Sequence, residues 1–173
     1  MYLVGERIRL RNIELTDVSF VKNIENDPEN WEFSSTLAPY SSYSVEEYIK
    51  SEFLGIYQNK QQRFVIELKE NKTAIGLIDL FNYDPQNATS EIGIFINKNY
   101  RNKKYGKESL EILLHYAFNH IDIKTIIITI STDNISSIKL FESSKFEKVG
   151  IIKSWKKWMQ TRKDVVIMQV TNK

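Results

Sequence analysis

At 173 residues, with 42% hydrophobic and 27% charged side chains, the chain is long enough to bury a core without staples and too apolar to stay disordered. Its 24 basic and 22 acidic residues leave a net charge of +2, which removes any global electrostatic case for nucleic acid or an anionic membrane. With no cysteine, a disulfide framework, a thiolate metal site and a nucleophilic thiol are excluded together.

No window approaches about 18 uninterrupted apolar residues, so a cytoplasmic location is the expectation, with neither membrane nor nucleic acid as a partner. Internal repeats, low-complexity tracts and linkers are missing, and residues 1–173 therefore read as a single domain. The stretch ERIRLRNI alternates as a half-buried strand does, with Ile8 and Leu10 on one face and Arg7, Arg9 and Arg11 on the other. A helix is predicted from about Thr16 to Asn26, carrying Val18, Val21 and Ile24. DPENWEFSSTLAPYSSY has no clean period and reads as a long surface loop, with Trp31, Phe33, Tyr40 and Tyr43 either anchoring it or walling a pocket. SVEE at Ser44 to Glu47 fits a capping box opening a helix that runs to about Asn59, with Val45, Tyr48, Ile49, Phe53 and Ile56 inward.

RFVIEL, AIGLIDLF and EIGIFI, separated by turn-forming residues, predict an antiparallel meander. From Tyr105 to His120, Leu110, Leu113, Leu114, Ala117 and Phe118 mark the apolar stripe of a helix packed on a sheet. TIIITI is the apolar run of a strand covered on both faces, and NISSIKLFES a short helix capped by Asp133 or Asn134. FEKVGIIKSWKKWM and DVVIMQV close the chain as two strands around the turn QTRK. His115 and His120 lack a carboxylate or cysteine at ligand spacing and read as packing residues, so no metal is expected.

Between EIGIFI and the long helix lies NYRNKKYGK, a basic, amide-rich turn. A strand that enters a helix through such a turn aims unpaired N–H groups and the positive end of a helix dipole at one place, which suits a phosphate or pyrophosphate. Arg101, Lys103, Lys104 and Lys107 add mobile positive charge, and Gly106 permits close backbone approach. Taken alone, the turn reads first as a merely solvated basic stretch, and its context changes that.

With EIGIFINKNYRNKKYGKESLEILLHYAF followed by TIIITISTDNISSIKLFESSKFEKVG, nearly the whole chain resembles the GNAT acetyltransferase superfamily, in the branch of polyamine and ribosomal-protein N-terminal acetyltransferases. The resemblance implies an α/β (α+β) fold: a mixed, mostly antiparallel sheet of about six or seven strands, splayed at the cofactor site and flanked by about four helices. It implies acetyl-CoA as acyl donor, with backbone groups of Ile94, Phe95 and Ile96 holding pantetheine. The pyrophosphate loop falls on Arg101, Asn102, Lys103, Lys104, Tyr105 and Gly106, with Lys107 next, and Asn134 matches a further cofactor contact. Glu91 aligns with an acidic strand position facing the acceptor, as base or water-positioning group, or else is a solvated strand-end glutamate.

Two positions depart from the family pattern. Lys104 replaces the loop's first glycine, at a cost of about 1 to 2 kcal/mol if the backbone there is left-handed. Phe141 stands where many members carry a tyrosine that protonates the leaving sulfur, which points to a slower enzyme rather than an inactive one, because positioning outweighs general acid catalysis. The expected reaction is direct attack by a primary amine, on a small polyamine-like molecule or a protein N-terminus. A CoA-binding module with little catalysis is the alternative. Asp27, Glu29 and Glu32 either attract a cationic acceptor or form a solvated face, and a homodimer through the C-terminal strands fits the family.

Overall fold

The computed structural model describes residues 2–34 and 38–172, with only the backbone of Phe33. Seven strands, β1 (Ile8–Asn12), β2 (Gln62–Leu68), β3 (Ala74–Asp84), β4 (Thr89–Ile96), β5 (Thr125–Ser131), β6 (Glu147–Trp158) and β7 (Thr161–Thr171), form a sheet in the order β1-β2-β3-β4-β5-β7-β6. All neighbours are antiparallel except β4 and β5. A parallel pair needs a crossover, and α5 (Tyr105–Asn119) supplies it. The remaining helices are α1 (Val18–Glu25), α2 (Pro28–Ser34), α3 (Ser42–Ser51), α4 (Gly55–Asn59) and α6 (Ile135–Ser143).

The meander over β2, β3 and β4 forms as the turn chemistry predicts, and β1 joins its outer edge. Alternation decides which face each strand buries. Ile8 and Leu10 of β1, Phe64 and Ile66 of β2, and Ile92 of β4 pack with Leu110, Leu113 and Ala117 of α5 in the larger core. Val65 of β2 and Leu77 of β3 face the other way, onto Val21, Ile24, Val45 and Ile49 of α1 and α3. The arginines opposite Ile8 and Leu10 find acids: Arg9 and Arg11 both pair with the buried Glu67, and Arg11 also with Asp17 at 2.7 Å. Burial pushes the Asp17 carboxyl up, but the bond to Arg11, the Glu14 N–H and the Arg11 charge together outweigh it and leave the group below its ordinary range.

Several expectations are corrected. Part of the predicted loop from Asp27 is helical: Pro28 opens α2, and Asp27 Oδ1 accepts the Glu29 N–H at 3.0 Å. Ser35, Thr36, Leu37 and the Phe33 side chain lie outside the described residues. Ser41, not Ser44, caps α3, its hydroxyl accepting the Ser44 N–H at 3.0 Å. The predicted helix to Asn59 is interrupted after Ser51 by a 3-10 turn, Glu52–Leu54, and by a φ of +71° at Gly55, and Phe53 within that turn is 83% exposed. Strand β5 is not covered on both faces, since Thr129 is exposed.

Candidate functional site

The ladder between β4 and β5 stops early. Thr89, Ser90 and Glu91 pair with Thr125, Ile126 and Ile127, and beyond that point the strands diverge, although each stays paired to its other neighbour, β4 through Ile96 and β5 through Ser131. Asn97 N–H donates to Ile75 O at 2.8 Å, so the alternation of an antiparallel ladder turns the backbones of Phe95 and Gly93 toward β3 and those of Ile92, Ile94 and Ile96 into the gap. The Ile96 carbonyl is already taken by Arg101 Nε at 2.8 Å. Of the three residues expected to offer backbone groups there, Ile94 offers both and Ile96 its N–H. Phe95 presents its ring instead, with the Arg101 guanidinium 5.6 Å from its centroid.

A cavity of about 1420 Å³ occupies this gap. Glu91, Ile94, Phe95, Ile96, Arg101, Asn102, Lys104, Tyr105, Gly106, Lys107 and Asn134 all line it; Lys103 does not. The Lys103 ammonium lies over the Tyr100 ring at 5.5 Å and its carbonyl accepts from Arg7 Nη1 at 3.0 Å. From β5, Thr129 and Ser131 face the same space. Ser131 is 5% exposed and its hydroxyl has no partner among the described residues.

At the far end of β4 the chain enters α5 through Asn102 (φ +61°) and Lys104 (φ +66°), so the position where the family pattern has glycine is left-handed here. Among the described residues, no side chain caps α5. Its first-turn N–H groups and dipole therefore stay directed at the cavity, with Arg101, Lys104 and Lys107 around them. Gly106 serves packing as well, because a Cβ there would sit 3.2 Å from Leu140 of α6. Helix α6 differs, since Asn134 Oδ1 caps it by accepting the Ser137 N–H at 3.2 Å, while its amide Nδ2 makes no bond among the described residues.

The opposite end is acidic. Glu91 is the last residue of β4 paired to β5, about 16 Å from Ile96 at strand spacing. Its Oε1 accepts from Asn82 Nδ2 at 2.8 Å, and Oε2 makes no bond among the described residues. Beside it, Arg63 of β2 bridges Glu25 of α1 (3.0 Å) and Asp79 of β3 (3.3 Å), with the Tyr48 ring 5.3 Å from its guanidinium. Burial raises the Asp79 carboxyl above its ordinary value, and the Arg63 charge pulls it only part of the way back. Gly93 leaves the room that Asp79 occupies, since a Cβ there would lie 2.9 Å from Asp79 Oδ1. This cluster is what sequence reasoning missed.

Helix α2 spans the gap at its open end: Glu29 pairs with Lys98 beyond β4, and Glu32 with Lys163 of β7, which also holds Asp133 just beyond β5. The acidic run therefore serves the protein's own lysines in part. Phe141 is fully buried, edge-on to Phe146 at 4.9 Å, and does not line the cavity. His115 and His120 cluster with Tyr2, 5.4 and 5.1 Å between ring centres. Among the described residues, no helix is long and apolar enough to cross a membrane, and no group of three or more potential ligands is placed to hold a metal.

Comparison with known proteins gives a consistent result. An acetyltransferase (GNAT) domain family matches residues 7–147. An uncharacterized N-acetyltransferase of Bacillus licheniformis is 28% identical over 156 residues, 90% of this chain and 87% of that protein. The spermidine N(1)-acetyltransferase of Vibrio cholerae is 24% identical over 147 residues, 85% and 83% of the two chains. In fold, the chain matches the crystal structure of Vibrio cholerae spermidine N-acetyltransferase in complex with CoA and spermine, at TM-score 0.85 and 23% identity over 96% of each chain. A ribosomal-protein alpha-N-acetyltransferase in complex with coenzyme A matches at TM-score 0.84 and 18% identity, over 97% of this chain and 96% of that one. A polypeptide that carries this domain over most of its length, on the sheet its solved neighbours share, belongs to the GNAT family of N-acetyltransferases.

Proposed function

We propose that residues 1–173 act as one cytoplasmic acetyltransferase domain that moves the acetyl group of acetyl-CoA to a primary amine on a small polycationic molecule or a protein N-terminus. The observation that carries this reading is the polarity of the unzipped gap, with uncapped amides and lysines at one end and carboxylates at the other. The residues present fit the donor: the gap offers strand N–H and C=O groups to an amide-bearing arm, the α5 first turn offers donors to a diphosphate, and the orphaned Ser131 hydroxyl offers one more polar contact. Acetyl-CoA supplies an activated thioester.

The chain's own groups do the rest. Ile94 orients the arm through its backbone, Arg101, Lys104 and Lys107 hold the charged end, and the Asn134 amide adds a donor. An alkylamine is mostly ammonium at neutral pH, with a pKa of about 10.4, so a proton must leave before attack. Glu91 takes it through Oε2, directly or by way of a water, while Asn82 fixes Oε1. Glu25, Asp79 and Glu91 outnumber the one Arg63 guanidinium set among them and leave the acceptor end its negative field. The exposed apolar residues Val149, Ile151 and Trp155 of the outer strand β6 support a homodimer through that edge.

Free-thiol release from acetyl-CoA with a panel of polyamines, aminoglycosides and N-terminal peptides tests the reading. Turnover with a cationic amine is expected, and silence across the panel refutes it. Phe141, which lacks a hydroxyl, favours the second reading, a CoA-binding module with little catalysis; tight CoA binding without turnover is its signature.

A further inference from the structure

From a contact between the segment before β1 and the start of α5 we infer that Arg7, on the far side of the sheet from the acceptor carboxylates, is a positioning residue for the diphosphate end of the cleft. This rests on the donor reading given above. Arg7 sits just before β1, and its guanidinium gathers three groups from the loop and first turn of α5. Nε and Nη2 both reach Glu108 Oε2 at 2.9 Å, Nη1 donates to Lys103 O at 3.0 Å, and the guanidinium carbon lies 4.6 Å from the centre of the Tyr105 ring. The Arg7 and Ile8 N–H groups also donate to Glu108 Oε1, at 2.8 and 3.3 Å. Gly5 makes this approach possible, because a Cβ there would lie 2.7 Å from both Glu108 Oε1 and Ile112 Cδ1.

The contact at Lys103 O has a directional consequence. In a trans peptide the C=O of one residue and the N–H of the next point in opposite directions within one plane. Fixing the Lys103 carbonyl on Arg7, outside the cavity, aims the Lys104 N–H away from Arg7, toward the cavity that Lys104 lines. The same bond holds the left-handed backbone of Lys104 (φ +66°), which has no glycine to make it easy. Engaging Glu108 also neutralises a carboxylate one turn inside a helix start that has to receive an anion. Loss of Arg7 thus both frees the amide to rotate and leaves a negative charge close to the diphosphate.

The test compares two donors. With Arg7→Met, which keeps the apolar stem over Tyr105, KM for acetyl-CoA is expected to rise about tenfold, as for one charge-assisted hydrogen bond, with kcat held within about twofold. The truncated thioester S-acetyl-N-acetylcysteamine has no diphosphate, and its kcat/KM is expected to be the same for wild type and variant. Arg7→Lys keeps the charge and is expected to fall between the two; it also carries the test if the methionine variant does not fold. Equal losses with both donors, or no change with either, overturn the positioning role. CoA titration of the wild type separates the two levels: absence of binding removes the donor reading and this inference together, whereas equal affinities of wild type and both variants remove the inference alone.

Discussion

Replacing Arg63 by methionine withdraws the cation that faces both Glu25 and Asp79 and leaves a buried carboxylate without its counter-charge. Asp79 keeps 13% of its side chain exposed and Glu25 19%, so the loss is taken at the lower end of the range for unpairing a buried ion, about 3 kcal/mol. For a chain of this size that corresponds to a fall in Tm of about 6 to 12 °C. The loss is pH-dependent. Burial already raises the Asp79 carboxyl, and without Arg63 nothing opposes that rise. The unfolded chain releases the same proton near about 3.9. Between the two values the folded state binds more protons, so the variant gains stability as pH falls and loses it as pH rises. Thermal melts of wild type and Arg63→Met at about pH 8 and about pH 5 should therefore show a gap that narrows in acid. Arg63→Met with Asp79→Asn should recover part of the loss at the higher pH, since the neutral amide needs no counter-charge. An equal gap at both pH values, or no gap, would refute the assignment of Asp79 as a buried acid held by Arg63.

Three other outcomes are expected. Glu91→Gln should lower kcat on the order of 10²-fold with little change in KM for acetyl-CoA, and an unchanged kcat at saturating amine removes Glu91 as base. Lys104→Gly relieves a left-handed lysine at the cost of extra freedom in the unfolded chain, for a net gain of about 0.5 to 1 kcal/mol, read as a rise of about 1 to 4 °C in Tm; a fall contradicts the strain argument. Lys163→Met frees Glu32 and Asp133, and limited proteolysis should then cut α2 faster than in the wild type, with equal rates showing that the ion pair does not hold that helix.

Elements with a strong local signal were legible in the sequence. The alternation of β1, the turn-separated strands of the meander, the stripe on α5 and the Asn134 cap of α6 each follow from a few neighbouring residues. Helix α2 was hidden because seven residues are too few to show a period, although Asp27 before Pro28 is a start signal. The break at Gly55 was hidden because the apolar positions on either side keep helical spacing across it. In the candidate site, the residues expected between Glu91 and Lys107 lie in one stretch and, apart from Lys103, line the cavity, and Lys104 is left-handed as its place in the motif implied. Arg63, Glu25 and Asp79 come from separate elements, 38 and 16 residues apart from Arg63, so no short window contains their meeting. Arg7 and Glu108, 101 residues apart, are a further step beyond local reading. The role of Phe95 turned on ladder phase, which only the register reveals.

Because the notch between β4 and β5 is made by hydrogen bonds withheld from peptide groups, exchanging Ile94 for another aliphatic residue alters hydrocarbon on the α5 side and leaves the main-chain donors and acceptors where they were. The carboxylate end is built from side chains, each of which a single codon can change. The main-chain half of the cleft is thereby insulated from drift while the carboxylate end remains free to diversify, and a designer can rework Glu25, Asp79 and their surroundings without disturbing the peptide groups along β4.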